Sequence, residues 1–128
     1  MKQTDLPITM NNGLVIRRAV ERDTEQLISF NAVQHADDPE APSEMISEWA
    51  RDVFSGQHPT SSIDLFYVVI DPTRDRSSAA GGRIVSSMGN LPQTWCYNGI
   101  SFPVGRAEMV ATDPEYRRKG LIQKQFDL

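Results

Sequence analysis

Cysteine is the scarcest feature of this chain: among 128 residues there is one, Cys96. A single thiol cannot close an internal disulfide, and the two histidines, His35 and His58, stand in no cluster with zinc-ligand spacing. A reducing cytoplasm is the simplest compartment for such a chain. Long apolar runs are missing as well. No stretch approaches the roughly 20 residues that cross a bilayer, and residues 1–12 lack the basic start and apolar run of a signal peptide. Nor is there an excess of positive charge. Thirteen Lys and Arg stand against 17 Asp and Glu, a formal net charge of −4. That balance argues against nonspecific nucleic-acid binding, which needs basic surface to displace counterions. Two phosphate-binding patterns are absent too, Gly-x-x-x-x-Gly-Lys-Ser/Thr and Gly-x-Gly-x-x-Gly after a strand. Their absence weakens the case for a nucleoside triphosphatase or a dinucleotide oxidoreductase.

What is present reads as one globular domain, with 39% hydrophobic and 23% charged residues. Residues 1–13 read as a flexible polar lead-in, and 14–128 as the domain. Residues 14–19 form a first strand. Asp23 is placed to cap a helix over 24–35 with its carboxylate, and Gln26 stands where a capping box wants it. Asp37, Asp38, Pro39, Glu40 and Pro42 interrupt the helical pattern; an acidic loop there would suit the rim of a groove for a cationic amine, or simply face solvent. Ser43 caps a second helix over 44–54, with Ile46, Trp49, Ala50 and Val53 on its apolar side and Phe54 beside them. Trp49 and Phe54 are expected in the core.

Residues 65–70, Leu-Phe-Tyr-Val-Val-Ile, form the strongest strand, apolar throughout as in a strand covered on both faces. A further strand is expected over 79–87, a turn at 90–92, and then a hairpin around Asn98-Gly99, a pair suited to the positive φ angles of a two-residue turn. Cys96 is expected to be a small buried residue of that hairpin. A last strand over 104–112 ends at Asp113-Pro114 and leads into a helix. The order gives an α/β (α+β) chain, with helices on a mixed, largely antiparallel sheet.

The chemistry concentrates at the junction of that last strand and helix. The run from Met109 through Thr112-Asp113-Pro114 to Tyr116-Arg117-Arg118-Lys119-Gly120-Leu121-Ile122 is a strand, a turn and a helix start. A helix start exposes amide hydrogens and the positive end of the helix dipole, which together attract an anion. Gly120 lets a phosphate approach the main chain, and Arg117, Arg118 and Lys119 add positive charge. The same run is also what a solvated basic helix start looks like.

These residues resemble the coenzyme A motif of the GNAT N-acetyltransferases, Gln/Arg-x-x-Gly-x-Gly/Ala. Arg117 matches the first position and Gly120 the fourth, while Ile122 replaces the small final residue. The opening Val15-Ile16-Arg17-Arg18-Ala19 before Asp23 is similar to the start of that fold. The Asn98-Gly99 hairpin and the Arg117–Ile122 run also resemble the larger bacterial acetyltransferases similar to the enhanced intracellular survival proteins. The resemblance implies an acyl-CoA N-acyltransferase-like fold and acetyl-CoA as acetyl donor to an amine, on a small molecule or a peptide. It implies that the amides of Arg117, Arg118, Lys119, Gly120, Leu121 and Ile122 hold the pyrophosphate. The backbone of Met109, Val110 and Ala111 would hold the acetyl end, with the Val110 amide on its carbonyl. Glu108 is the candidate general base, against a plain ion pair with Arg106; Tyr97 and Tyr116 are candidates for the acid, with Tyr116 better suited to packing. A complete domain of the family continues with more sheet and another helix. The sequence is therefore expected to be its N-terminal part, with an unpaired sheet edge that favours a homo-oligomer or awaits a C-terminal segment. Two other readings stay open: a catalytically silent module for coenzyme A or another anion, and a protein-interaction domain.

Overall fold

A computed structural model describes residues 6–38 and 40–128. Five strands, β1 (Ile8–Thr9), β2 (Val15–Arg18), β3 (Phe66–Asp71), β4 (Arg83–Tyr97) and β5 (Ile100–Thr112), form one sheet in sequence order. Every pairing among the described strands is antiparallel. Three helices, α1 (Thr24–Gln34), α2 (Glu44–Val53) and α3 (Leu121–Phe126), pack on it. None of the described helices is long and apolar enough to cross a membrane. The sheet begins earlier than the apolar pattern shows, because Ile8 and Thr9 pair with Ile16 and Val15.

β3 explains its own sequence. Val68 and Ile70 face one apolar cluster with Leu27, Ile28, Phe30, Ala50 and Val53 of the first two helices. Val69 faces another with Ile16, Val85, Tyr116 and Leu121. A strand covered on both sides has no polar face, so its residues do not alternate. Phe66 meets Phe54 edge to face, with centroids 4.8 Å apart.

At α2 the expectation holds: Ser43 Oγ accepts the Ile46 amide at 3.2 Å. At α1 it does not. The Asp23 carboxylate makes no capping bond to α1. It takes both arms of the Arg17 guanidinium at 2.7 and 2.8 Å, and the Val20 amide. Gln26 reaches across to the Gly82 carbonyl instead of back to the helix start. A guanidinium brought in by β2 outcompetes the α1 amides for a buried carboxylate.

The turn expected at 90–92 is also corrected. β4 runs through it, with Pro92 opposite Gly105 and Thr94 opposite Pro103. β3 begins at Phe66, opposite Gly89, so β4 has one neighbour beyond that point and tolerates a missing amide donor. β4 and β5 thus continue as a two-stranded ribbon to Asn98 and Gly99, whose φ angles are 50° and 76°. Cys96 is exposed on this ribbon, not buried. Trp49 is 39% exposed, whereas Phe54 is in the core.

Candidate functional site

The end of β5 is irregular for a definable reason. Gly89 pairs with Glu108 and Ser87 with Ala111, so two residues of β5 stand against one of β4. This is a bulge, and Met109 in it takes a φ of 49°. A methionine in that region is strained, and buried neighbours hold it. Its side chain is in the core, and Ser87 Oγ donates to its carbonyl at 3.2 Å. Asn31 of α1 lies behind, with Nδ2 on the Leu27 carbonyl at 3.0 Å and 3.5 Å from Ser87 Oγ.

The turn after β5 is pinned to the sheet. Asp113 accepts the Glu115 amide and starts a short 3-10 turn over Pro114–Tyr116. The Tyr116 hydroxyl donates to Asp71 at 2.5 Å, at the far end of β3. Burial, then the bond to Asp71, push the Tyr116 hydroxyl up to about 12. The bonds from Thr73 and Tyr116 hold the Asp71 carboxyl below its usual range. The two groups therefore stay as neutral donor and charged acceptor over the whole physiological range.

From Tyr116 the chain turns through Arg118, with φ 63°, and Gly120, with φ 71°, into α3. Among the described residues, no hydrogen bond engages the amides of Arg118, Lys119 or Gly120. Those of Leu121, Ile122 and Gln123 belong to the first turn of a helix, which offers them no carbonyl. A Cβ on Gly120 would meet nothing within 4 Å, so the main chain there faces open space. α3 is locked by Gln125, whose amide donates to Ser86 Oγ at 2.9 Å, and by Leu121 in the core beneath the sheet.

A cleft of about 480 Å³ opens at this place. It brings together Val110, Ala111, Arg117, Arg118, Gly120, Leu121 and Ile122 of the expected site. Met109, Glu108 and Lys119 do not line it. Met109 contributes the bulge instead. The Glu108 carboxylate is paired with Arg106, and its side chain is 14% exposed. Lys119 borders a separate depression with Asp71, Thr73 and Tyr116. Tyr97 is at the ribbon tip and 77% exposed. Asp37, Asp38 and Glu40 are outside the cleft lining, which on that side is made by Gln34 and His35 at the end of α1. Thr112 and Tyr116 of the junction run also line it, and Tyr116, a candidate acid, donates its hydroxyl to Asp71. Gln34, His35 and Gln123 are lining residues that the sequence did not single out. No local pattern marks Gln34 and His35, because the crossing of α1 over the sheet brings its end to β5. His35 is itself exposed, and partial desolvation at the cleft wall shifts its imidazole below the ordinary value.

A bulged strand, a turn with unengaged amides and a helix start thus meet at one opening. A family model for the acetyltransferase (GNAT) domain matches residues 15–126, covering all of these parts.

The chain belongs to the GNAT acetyltransferase family.

Solved structures agree on the fold of this GNAT chain. A conserved protein of unknown function from Enterococcus faecalis, described as a probable N-acyltransferase, matches 88% of the chain at 16% identity with a TM-score of 0.59. A proposed acetyltransferase from Pyrococcus horikoshii matches 99% at 14% identity, with a TM-score of 0.57. The N-myristoyltransferase of Saccharomyces cerevisiae, solved with myristoyl-CoA bound, matches 97% at 14% identity with a TM-score of 0.63. The GNAT chain spans 25%, 36% and 28% of these chains respectively. No curated protein matches the sequence. The family uses acyl-CoA donors, and the cleft fits one. Unengaged amides and two exposed arginines border an opening in front of a glycine that no protein atom crowds.

Proposed function

We propose that this GNAT domain binds acetyl-CoA in the cleft and directs acetyl transfer to an amine, on a small molecule or a peptide. The observation that carries the reading is the row of unengaged amides from Arg118 to Ile122, opening beside the β5 bulge. Such amides suit a pyrophosphate, since each is a preformed donor at the positive end of a helix. Arg117 and Arg118 add charge from the rim. The bound thioester supplies an activated acetyl group. As the C–N bond forms the C–S bond breaks, and coenzyme A leaves as a thiolate that takes up a proton; the chain's own contribution is to hold the two reactants in register and to accept the amine's proton.

The expected test is direct. Calorimetric titration should give saturable acetyl-CoA binding, and Gly120→Glu should weaken it at least about tenfold, through a bulky like charge at the amide row. Unchanged binding in Gly120→Glu would disprove the cradle. Binding without thiol release against a panel of amines would indicate a silent module, and no binding at all an interaction domain.

For the proton acceptor we propose Glu108, one residue before the bulge. That role requires its release from Arg106, to which it is bonded, and an acceptor amine that reaches it from the cleft, whose lining it stands outside. His35 is the second reading, favoured by its place on the cleft wall and by an imidazole shifted below its ordinary value. Glu108→Gln should lower kcat by about 10² or more if Glu108 is the base. A kcat that falls only in His35→Gln would assign the proton to His35.

A further inference from the structure

Past Gly89, β4 leaves β3 and the β4–β5 ribbon projects alone. Its register sets Trp95 opposite Phe102, Tyr97 opposite Ile100 and Gln93 opposite Val104. Side chains alternate along a strand, so these residues share one face. The other face carries Pro92, Thr94, Cys96, Ser101, Pro103 and Gly105. The ribbon is therefore amphipathic, and its apolar face is uncovered: Trp95 is 49% exposed, Tyr97 77%, Ile100 67% and Phe102 39%. Leu91 lies on the same face at the ribbon's base and is buried in the main core with Phe66 and Met109. The interior of the molecule thus runs out along the ribbon into solvent.

We propose that this face docks a second copy of the same chain. Three features favour an identical partner. From Asn90 to Gly105 the ribbon has no charged side chain, although 13 basic and 17 acidic residues occur in the chain. Arg106, opposite Leu91 at the base, is paired with Glu108, so the projecting part offers nothing to a charged peptide and, with no Lys or Arg, no grip on an anionic bilayer. An uncharged ribbon meets no electrostatic penalty against its own image about a two-fold axis. The aromatic rows can then pack face to face like the two layers of a sandwich, about 10 Å apart. The area suits a weak, reversible contact. At about 200 Å² for a large side chain, the four exposed residues offer roughly 450 Å² per copy. Both copies together come to roughly 900 Å², and the rim brings this toward the lower end of specific interfaces at about 1,200 Å². A reversible dimer of moderate affinity follows. This inference stands independently of the acetyl-CoA reading.

Sedimentation velocity over a wide concentration range, on the full chain in reductant, tests it. Reductant removes disulfide dimers through exposed Cys96. The wild type should show a monomer–dimer equilibrium. The double variant Tyr97→Thr/Ile100→Thr keeps strand propensity and should raise the dissociation constant at least about tenfold. Circular dichroism checks that it folds, and Phe102→Thr provides the same reading should the double variant not fold. A wild type that stays monomeric throughout overturns the proposal. So does a dimer of unchanged affinity in both variants, which would place association at the free edge of β5 instead.

Discussion

A carboxylate with no exposure at all needs a compensating charge. Asp23 has one in Arg17, whose guanidinium also holds the Ala80 carbonyl and is itself only 16% exposed. Burial by itself would raise the Asp23 carboxyl. The Arg17 and Val20 hydrogen bonds and the Arg17 and Arg22 charges outweigh it and hold the group below its ordinary value. Removing one partner leaves the other stranded, so Arg17→Ala should cost about 3 kcal/mol, measured by urea unfolding at neutral pH. The sign of the pH dependence follows from the lowered folded value. This contribution is present above the usual carboxylate range and is lost as pH falls through the folded value, where the proton returns. Arg17→Ala should therefore flatten the acid side of the stability profile, while the neutral partner in Asp23→Asn should remove that titration altogether. A variant as stable as wild type would mean that the pair contributes nothing net.

At the scale of elements, the β3–β4 pairing depends on a residue with no side chain. Gly89 lies opposite Phe66, and a Cβ there would sit 2.4 Å from the Phe66 ring. Phe66 has no exposure and is wedged against Phe54, so the ring has nowhere to go. Gly89→Ala should cost about 1–3 kcal/mol by overpacking, despite the better strand propensity of alanine. A thermal melt unchanged from wild type would show that the ring has an alternative rotamer. The elements also show where sequence reading succeeds. The Ser43 cap, the doubly buried run of β3 and the Asn98-Gly99 turn are set by neighbours within a few residues, and all three are visible in the sequence. The unbroken β4 and β5 are not. Pro92 and Pro103 mark breaks inside a sheet, and only the departure of β3 at Gly89 makes them tolerable. The carboxylate of Asp23 is likewise decided by an arginine that folding brings to it, not by the helix it precedes.

Across the whole molecule, the candidate site was half legible. The Arg117–Ile122 run could be recognised because its features are local: a turn, a glycine and free amides in series. The bulge at Met109 has no glycine or asparagine to announce it, and His35 reaches the cleft only through the packing of α1. The charge distribution of the folded chain then makes a prediction of its own. The chain is net acidic at −4, yet the exposed Arg117 and Arg118 border the cleft. A ligand bearing phosphates is thus repelled by remote charge and attracted by near charge. Salt separates the two by range. At about 0.01 M the Debye length is about 30 Å and the acidic remainder of the molecule is felt; near 0.15 M it is about 8 Å and only the arginines count; near 1 M it is about 3 Å and even these are screened. Acetyl-CoA affinity should therefore hold steady or rise slightly from low to physiological salt, then fall several-fold toward 1 M. Arg118→Ala should reduce the high-salt fall, because it removes one of the short-range cations. A steep decline beginning at the lowest salt, measured by calorimetry, would mean that the ligand meets a positive field at long range. The arginines would then not be the local exception that an acidic chain makes of them.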